Sequence, residues 1–206
     1  KPRQIGITTA NCAHTWWATF TAQKPLRTIV VADHNKTTKS IFKKFCTYYH
    51  HLPKQLKESN PFKINQNDKT LYQRFVAEEL AFWPHPEEVW SGIRSTLHGG
   101  AEGKIVIVST PNGPGNFYHE RVLIAQEAER SGNKSIRFLF SRWSDHSTYR
   151  LTPPDDWEPD EEEYQLGQNF GLDWEQLYWR HEMIFGVEGM GERKFRREFP
   201  LTIEDG

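Results

Sequence analysis

The chain has 206 residues, of which 36% are hydrophobic and 26% charged, and its formal net charge is −1 at pH 7. This length gives room for one domain with a small appendage, and the balance of residue types excludes a disordered chain. The nearly neutral charge argues against a protein that coats nucleic acid over its whole surface, because such coating needs many phosphate contacts, but it leaves room for an enzyme that grips DNA with a local basic patch.

The first half of the chain alternates predicted helices with short predicted strands. Apolar and aromatic residues at helical spacing predict helices over residues 9–22 and 37–50. The β-branched run 28–33 predicts a buried strand between them. Residues 54–69 are polar and aperiodic, which predicts a loop, and residues 74–77 form a brief predicted strand. The pattern is that of a protein in which helices connect strands.

The alternation continues in the middle of the chain. Residues 86–97 predict a helix and residues 104–109 give the clearest strand of the sequence. A helix over 117–130 and a strand over 135–140 follow. Strands that alternate with helices predict an α/β fold with an open, mainly parallel sheet flanked by helices.

The last third of the chain has a different character. Residues 151–163 contain three prolines and an acidic cluster, which predict an extended, solvated connection. A helix over 174–184 and a short closing element over 195–199 are predicted after it. We therefore expect a core over residues 1–145, followed over 146–206 by a linker and a C-terminal subdomain.

A candidate phosphate loop precedes the first predicted helix. Gly6 and Thr8 fill the second glycine and the hydroxyl position of the pattern G-x-x-x-x-G-K-[ST], whereas Ile7 stands in place of the lysine. We expect Thr8 to hold Mg²⁺ and Gly6 to let backbone N–H groups reach phosphate oxygens. Lys1 and Arg3 would supply the missing positive charge from the other end of the loop. A plain turn and helix cap is the alternative interpretation.

Two acids follow the strand at residues 74–77. In a P-loop ATPase the first acid at this place, here Glu78, supports Mg²⁺, and the second, here Glu79, polarises the attacking water. If both acids end the same strand, their side chains point to opposite faces and cannot do the same work. The alternative is a pair of exposed acids that favour the dipole at a helix start.

A third motif follows the strand at 104–109. The polar run from Ser109 to Gly113 stands where open α/β sheets bind ligands, at the carboxyl end of a strand. The Pro-Asn-Gly sequence within it is also good turn chemistry. Both interpretations are compatible with one another.

The three motifs, in this order, resemble the large terminase subunits of tailed phages. The segment that leads to the C-terminal end resembles the same family. The residues that carry the resemblance are 3–6 with Thr8, 78–83, 109–113, 115–118, Trp143, 162–163, Leu172, 176–177, 179–180 and 197–200. The resemblance covers nearly the whole chain, and it is the ordered set of motifs that is specific.

The resemblance implies an ATPase motor that couples ATP hydrolysis to translocation of double-stranded DNA into a procapsid. It implies a P-loop NTPase of the additional-strand, catalytic-glutamate type, with ATP and Mg²⁺ as cofactors. Thr8 and Glu78 would be the metal ligands, and Glu79 would be the catalytic glutamate, with Arg3 supporting catalysis. The implied nucleotide contacts are Lys1, Arg3, Gln4, Gly6, Thr8, Thr9, Thr110 and Asn112.

The resemblance also implies the partners and the place of action. These are double-stranded DNA, the portal protein, the small terminase subunit and further copies of the chain in a ring on the procapsid, in the host cytoplasm during virion assembly. No membrane partner is expected, since no run of about 18 apolar residues occurs. The family's nuclease domain would follow residue 206, so we expect no DNA cleavage by this chain. Because Lys1 opens the chain inside the candidate loop, we expect part of a longer protein.

Two departures from the family pattern keep alternatives open. Ile7 replaces the usual lysine, and residues 54–74 form a short segment before the strand that carries the acids. These departures favour a degenerate terminase fragment that does not hydrolyse ATP. Another helicase-like, DNA-dependent ATPase is the remaining alternative.

Overall fold

The computed structural model describes residues 6–21, 28–59, 74–97 and 103–205. The helices in these ranges are α1 (Ile7–Phe20), α2 (Asn35–His50), α3 (Lys54–Ser59), α4 (Pro86–Thr96), α5 (Phe117–Arg130), α6 (Glu161–Phe170), α7 (Trp174–Phe185) and α8 (Glu192–Glu198). The strands are β1 (Thr28–Ala32), β2 (Arg74–Glu78) and β3 (Lys104–Val108). Short 3₁₀ turns occur at Leu80–Phe82, Trp143–Asp145 and Ile203–Asp205.

The chain divides into two compact units. One spans Gly6–Ser109 and the other begins at Thr110, and we call them the N-terminal and the C-terminal unit. The N-terminal unit holds the three strands, whereas the described part of the C-terminal unit is helical or irregular. The predicted functional division at residues 145 and 146 stays a prediction.

The three strands form a parallel sheet in the order β1-β2-β3. The register pairs Val30 with Val76 and Val76 with Val106. The central strand is the most deeply buried, with Phe75 and Ala77 at 0% exposure. Burial of both faces of a parallel strand requires such a continuous apolar run. The predicted α/β fold with an open parallel sheet flanked by helices is therefore confirmed at this level, as are the predicted strands at 28–33, 74–77 and 104–109.

Helices α1 and α2 pack together through apolar side chains. Cys12 of α1 and Ile41 and Phe45 of α2 are buried in one cluster, against which the rings of Trp16 and Tyr48 also pack. The apolar residues of α2 recur three to four positions apart, so one face of the helix meets this cluster. The packing fixes where the first turn of α1 lies within the N-terminal unit.

The C-terminal unit has an aromatic core. Trp143, at 0% exposure, lies with its ring centroid 5.0 Å from that of Trp179, and Tyr149 lies 4.8 Å from Trp179. Phe195 and Phe199 complete the cluster and make edge and tilted contacts with the same rings. Large rings in such arrangements bury much area and add specific geometry, so they hold α7 and α8 together.

Three predictions of local structure are wrong. Residues 135–140 form no strand, and Leu139 is 93% exposed, so its apolar side chain has no sheet face to cover. The predicted loop at 54–69 contains α3, while residues 60–69 lie outside the described residues. The predicted connection at 151–163 ends early, because Asp160 caps α6 by accepting from the Glu163 N–H at 2.8 Å. A capping box of this kind starts a helix within an acidic run.

Candidate functional site

Gly6 sets the start of α1. It lies in the left-handed region with φ 78° and ψ 4°, and its carbonyl accepts the first helical hydrogen bond from the Ala10 N–H at 2.8 Å. A Cβ at this position would meet no atom within 4 Å, so backbone conformation, and not space, is what favours glycine. The helix therefore begins directly after the predicted glycine of the loop.

Thr8 and Glu78, the two predicted metal ligands, lie together although 70 residues separate them. The Thr8 hydroxyl donates to Glu78 Oε2 at 3.1 Å. Asn11 lies about one turn further along α1, and its Nδ2 donates to Glu78 Oε1 at 3.3 Å. Glu78 is 1% exposed, so these donors meet a carboxylate removed from water. The first turn of α1 thus faces the carboxyl end of the central strand.

The strand end that carries Glu78 is held by its backbone. The Trp83 indole Nε1 donates to the Glu78 carbonyl at 3.0 Å, and the Trp83 ring stands edge-on to Phe75 with centroids 6.3 Å apart. Trp83 itself is 7% exposed. This buried bond and ring contact fix the direction in which the Glu78 side chain leaves the sheet.

Glu79 does not belong to the strand. The strand ends at Glu78, and Glu79 takes the left-handed conformation with φ 56° and ψ 42° before the 3₁₀ turn. Its N–H donates to the Val108 carbonyl at 2.7 Å. The expectation that both acids end one strand is therefore wrong, because the left-handed turn at Glu79 ends the strand at Glu78. Glu79 has the only positive φ of a non-glycine among the described residues, and such strain clusters at functional sites.

The third motif is divided between the two units. Ser109 belongs to the N-terminal unit, where it is 3% exposed and its Oγ accepts from the Ala81 N–H at 3.2 Å. Thr110, at 4% exposure, and Asn112 belong to the C-terminal unit. There the Asn112 carbonyl accepts from Asn116 Nδ2 at 3.1 Å. Ser109 thus braces the turn after Glu79, a role that the sequence interpretation missed.

Thr9 contacts helix α2. Lys44 Nζ donates to Thr9 Oγ1 at 2.9 Å, and the Tyr48 hydroxyl donates to the Thr9 carbonyl at 3.2 Å. Burial raises the pKa of Tyr48, and its interaction with Cys12 raises it further. The predicted contacts Lys1, Arg3 and Gln4 lie outside the described residues.

Asn11 and Lys44 were missed by the sequence analysis for different reasons. Asn11 stands three residues after Thr8, and residues at this spacing share a helix face, so helical periodicity would have found it. Lys44 lies on another helix, and no local pattern relates it to Thr9. Only the packing of α1 on α2 brings the two side chains together.

The donor set fits Mg²⁺. A hydroxyl and a carboxylate are hard oxygen ligands, and Mg²⁺ is usually held by one or two carboxylates together with substrate phosphates. Within the described ranges no cluster of three or more His, Cys, Asp or Glu side chains occurs that would hold a metal ion by itself. A metal at Thr8 and Glu78 would thus depend on ligands from a bound phosphate.

The comparisons with known proteins do not test the resemblance to terminases. No family model matches the chain, and no curated protein matches it. In the part of the chain that the structure describes, no helix has the length and apolar character needed to cross a membrane.

Proposed function

We propose that the chain is the ATP-hydrolysing motor domain of a viral DNA-packaging terminase, a P-loop NTPase of the additional-strand, catalytic-glutamate type. The observation that carries the proposal is the 3.1 Å hydrogen bond from the Thr8 hydroxyl to the buried Glu78 carboxylate, directly after the left-handed Gly6. A hydroxyl at a helix start and an acid at a strand end are the two protein ligands that such an enzyme needs for Mg²⁺.

The sheet supports the same proposal. The order β1-β2-β3 puts the strand that carries Glu78 in the centre, and all three strands run parallel. Open α/β sheets bind ligands beyond the carboxyl ends of their strands. Glu78, Glu79 and Ser109 all lie at that edge of the sheet.

The N-terminal turn of α1 is the proposed phosphate site. Backbone N–H groups at a helix start attract anions, and the Gly6 conformation opens this turn to them. Thr8 and Glu78 would hold Mg²⁺, which when bound neutralises charge on phosphate oxygens. Thr9 would contact the nucleotide from the same turn. Lys1, Arg3 and Gln4 are proposed to complete the site from the loop before it.

Glu79 is the proposed general base. A carboxylate can orient a water molecule and accept its proton, and Glu78, which contacts Thr8 and Asn11, is the proposed metal ligand instead. Glu79 stands in the left-handed turn, one residue beyond the strand that carries Glu78. Thr110 and Asn112 are proposed to sense the nucleotide and relay hydrolysis to movement.

The wider assignment follows from the resemblance. The proposed partners are double-stranded DNA, the portal protein, the small terminase subunit and further copies of the chain in a ring on the procapsid, in the host cytoplasm. Ile7 favours one alternative, a terminase fragment that has the fold without turnover, because the lysine expected at that position is absent. A helicase-like, DNA-dependent ATPase shares the same phosphate site.

Nucleotide binding tests the proposal. Titration of ATP with Mg²⁺ should show saturable binding, and Thr8→Ala should weaken it at least tenfold, about 1.4 kcal/mol, because one metal ligand is lost. Thr21→Ala is the matched control, since it removes an exposed threonine just beyond the other end of α1. Equal affinity of wild type and Thr8→Ala would contradict the site, and no binding by wild type would refute the proposed function.

A further inference from the structure

Helix α2 carries a strong local positive charge in a chain that is nearly neutral overall. The helix contains four lysines and no acidic residue, although the net charge of the whole chain is −1. The first turn of α2 has no acidic side chain to complement the positive end of the helix. The helix dipole therefore adds to the charge of the lysines.

The exposed lysines lie on one face of α2, which we call the lysine stripe. It consists of Lys36, Lys39 and Lys43, all exposed, which are spaced three and four residues apart. Side chains at this spacing share a helix face. In the described part of the chain, their ammonium groups make no ion pair or hydrogen bond. Like charges four residues apart repel one another, so the stripe does not serve to stabilise the helix.

The opposite face of α2 is occupied by the protein's own core. Ile41 is 2% exposed and Phe45 is 8% exposed, and both pack against α1. An amphipathic helix that lies on a membrane must insert its apolar face, and this face is already covered. A linear polyanion, whose negative charges can contact the lysines along the helix, is thus a better partner for α2 than a lipid surface.

We propose that the lysine stripe binds the phosphate backbone of a nucleic-acid duplex. A helix rises about 1.5 Å per residue, so the stripe spans about 10 Å from Lys36 to Lys43. Duplex DNA carries one negative charge per about 1.7 Å of its axis, so several phosphates lie within that length. The inference rests on the proposed function, which gives duplex DNA as the partner. The new part is the surface of the protein that contacts the DNA.

The bond between Lys44 and Thr9 connects this surface with the phosphate site. Lys44 lies on the same helix as the stripe, and its Nζ donates to the hydroxyl of Thr9 in the first turn of α1. A duplex held along α2 would thus lie on the helix that directly contacts the turn proposed to bind nucleotide.

The test is equilibrium binding to a fluorescent 30-base-pair duplex, measured by anisotropy at several salt concentrations. The triple variant Lys36→Gln, Lys39→Gln and Lys43→Gln removes the charges and keeps good helix formers. The triple variant Lys134→Gln, Arg193→Gln and Lys194→Gln is the matched control, because it removes the same charge from exposed sites in the C-terminal unit. Thermal unfolding of both variants checks that each is folded.

We expect the stripe variant to bind at least tenfold more weakly at 50 mM salt than the wild type, with the control unchanged. The slope of log K against log salt should fall in magnitude by about 2 to 3, since each lost phosphate contact contributes about 0.9. Equal losses in both variants, or no duplex binding by the wild type, would overturn the inference.

Two further arms separate this inference from its rivals. Polyglutamate and vesicles with 30% phosphatidylserine replace the duplex, and a stripe-dependent affinity for either that equals or exceeds the duplex affinity would overturn the inference. ATP binding is measured on the same preparations. Duplex binding without ATP binding refutes the proposed function alone, whereas ATP binding without duplex binding refutes the lysine stripe alone.

Discussion

Glu78 in the N-terminal unit and Glu163 in the C-terminal unit are both buried, and the two carboxylates are held in different ways. In the N-terminal unit, Glu78 accepts from the neutral side chains of Thr8 and Asn11. In the C-terminal unit, Glu163 contacts His181 Nδ1 at 2.9 Å and Arg180 Nη1 at 3.8 Å. Both glutamates are almost fully buried, at 1% and 2% exposure.

This difference in partners distinguishes a carboxylate that stabilises the fold from a carboxylate that could bind a metal ion. Glu163 lies at the start of α6, and its partners lie on α7, so its contacts join the two helices. Arg180 carries a permanent positive charge beside this carboxylate, and the 2.9 Å contact with His181 fixes its direction. A hydroxyl beside a carboxylate is, in contrast, a pair of oxygen ligands that Mg²⁺ accepts. The same residue type therefore supports stability in one unit, and in the other it is the proposed ligand of a metal ion.

Glu163→Gln should have the largest effect on stability. Removal of this charge leaves the buried Arg180 paired with the half-buried Glu192 alone, so we expect a loss of about 3 kcal/mol in the free energy of unfolding. Urea-induced unfolding followed by near-ultraviolet circular dichroism measures it. ATP affinity of the folded variant should be unchanged. A loss below about 1 kcal/mol would contradict the view that Glu163 is the acid that stabilises the fold.

Glu78→Gln should behave in the opposite way. The amide oxygen can still accept from Thr8 or Asn11, so we expect a stability change below about 1 kcal/mol. Binding of ATP in the presence of Mg²⁺ should weaken at least tenfold, about 1.4 kcal/mol, because a charged metal ligand is lost. Calorimetric titration with ATP, in the presence and in the absence of Mg²⁺, measures how far the affinity for ATP depends on the metal ion. An unchanged Mg²⁺ dependence would show that Glu78 is structural, like Glu163.

Glu79→Gly should raise stability slightly. The left-handed conformation of a non-glycine residue is strained, and glycine adopts it freely at the cost of some unfolded-state entropy. We expect a net gain of about 0.5 kcal/mol in urea-induced unfolding. Glu88→Gly is the control, because an exposed glycine inside α4 should cost about 1 kcal/mol. A loss of stability in Glu79→Gly would mean that the side chain, not the turn, supports the fold.

The secondary-structure elements that depend on periodicity or composition could be predicted from the sequence. The short apolar run at 74–77 predicts the strand β2, and the motif at Gly6 and Thr8 predicts that the first helix begins close to it. The residue types also predicted that Thr8 and Glu78 act together. The structure places them within a hydrogen bond, while their role as metal ligands stays a prediction.

The remainder depended on tertiary packing or on single backbone conformations. No local pattern predicts that Glu79 leaves the strand in a left-handed turn, because that turn is stabilised by a bond to Val108, 29 positions away. The acidic run before Tyr164 suggested a solvated linker, yet Arg180 and His181 make Glu163 a buried helix residue. The apolar run 135–140 has strand composition, but the described residues of the C-terminal unit contain no strand with which it could pair.

ATP hydrolysis by Glu79→Gln tests the central claim most directly. An amide can orient water but cannot take its proton, so the variant should bind ATP with Mg²⁺ as the wild type does and hydrolyse it at least 100-fold more slowly. Phosphate release under single-turnover conditions measures the hydrolysis, with Glu87→Gln as a control at an exposed acid of α4. Hydrolysis at the wild-type rate by Glu79→Gln would contradict the assignment of Glu79 as the catalytic base.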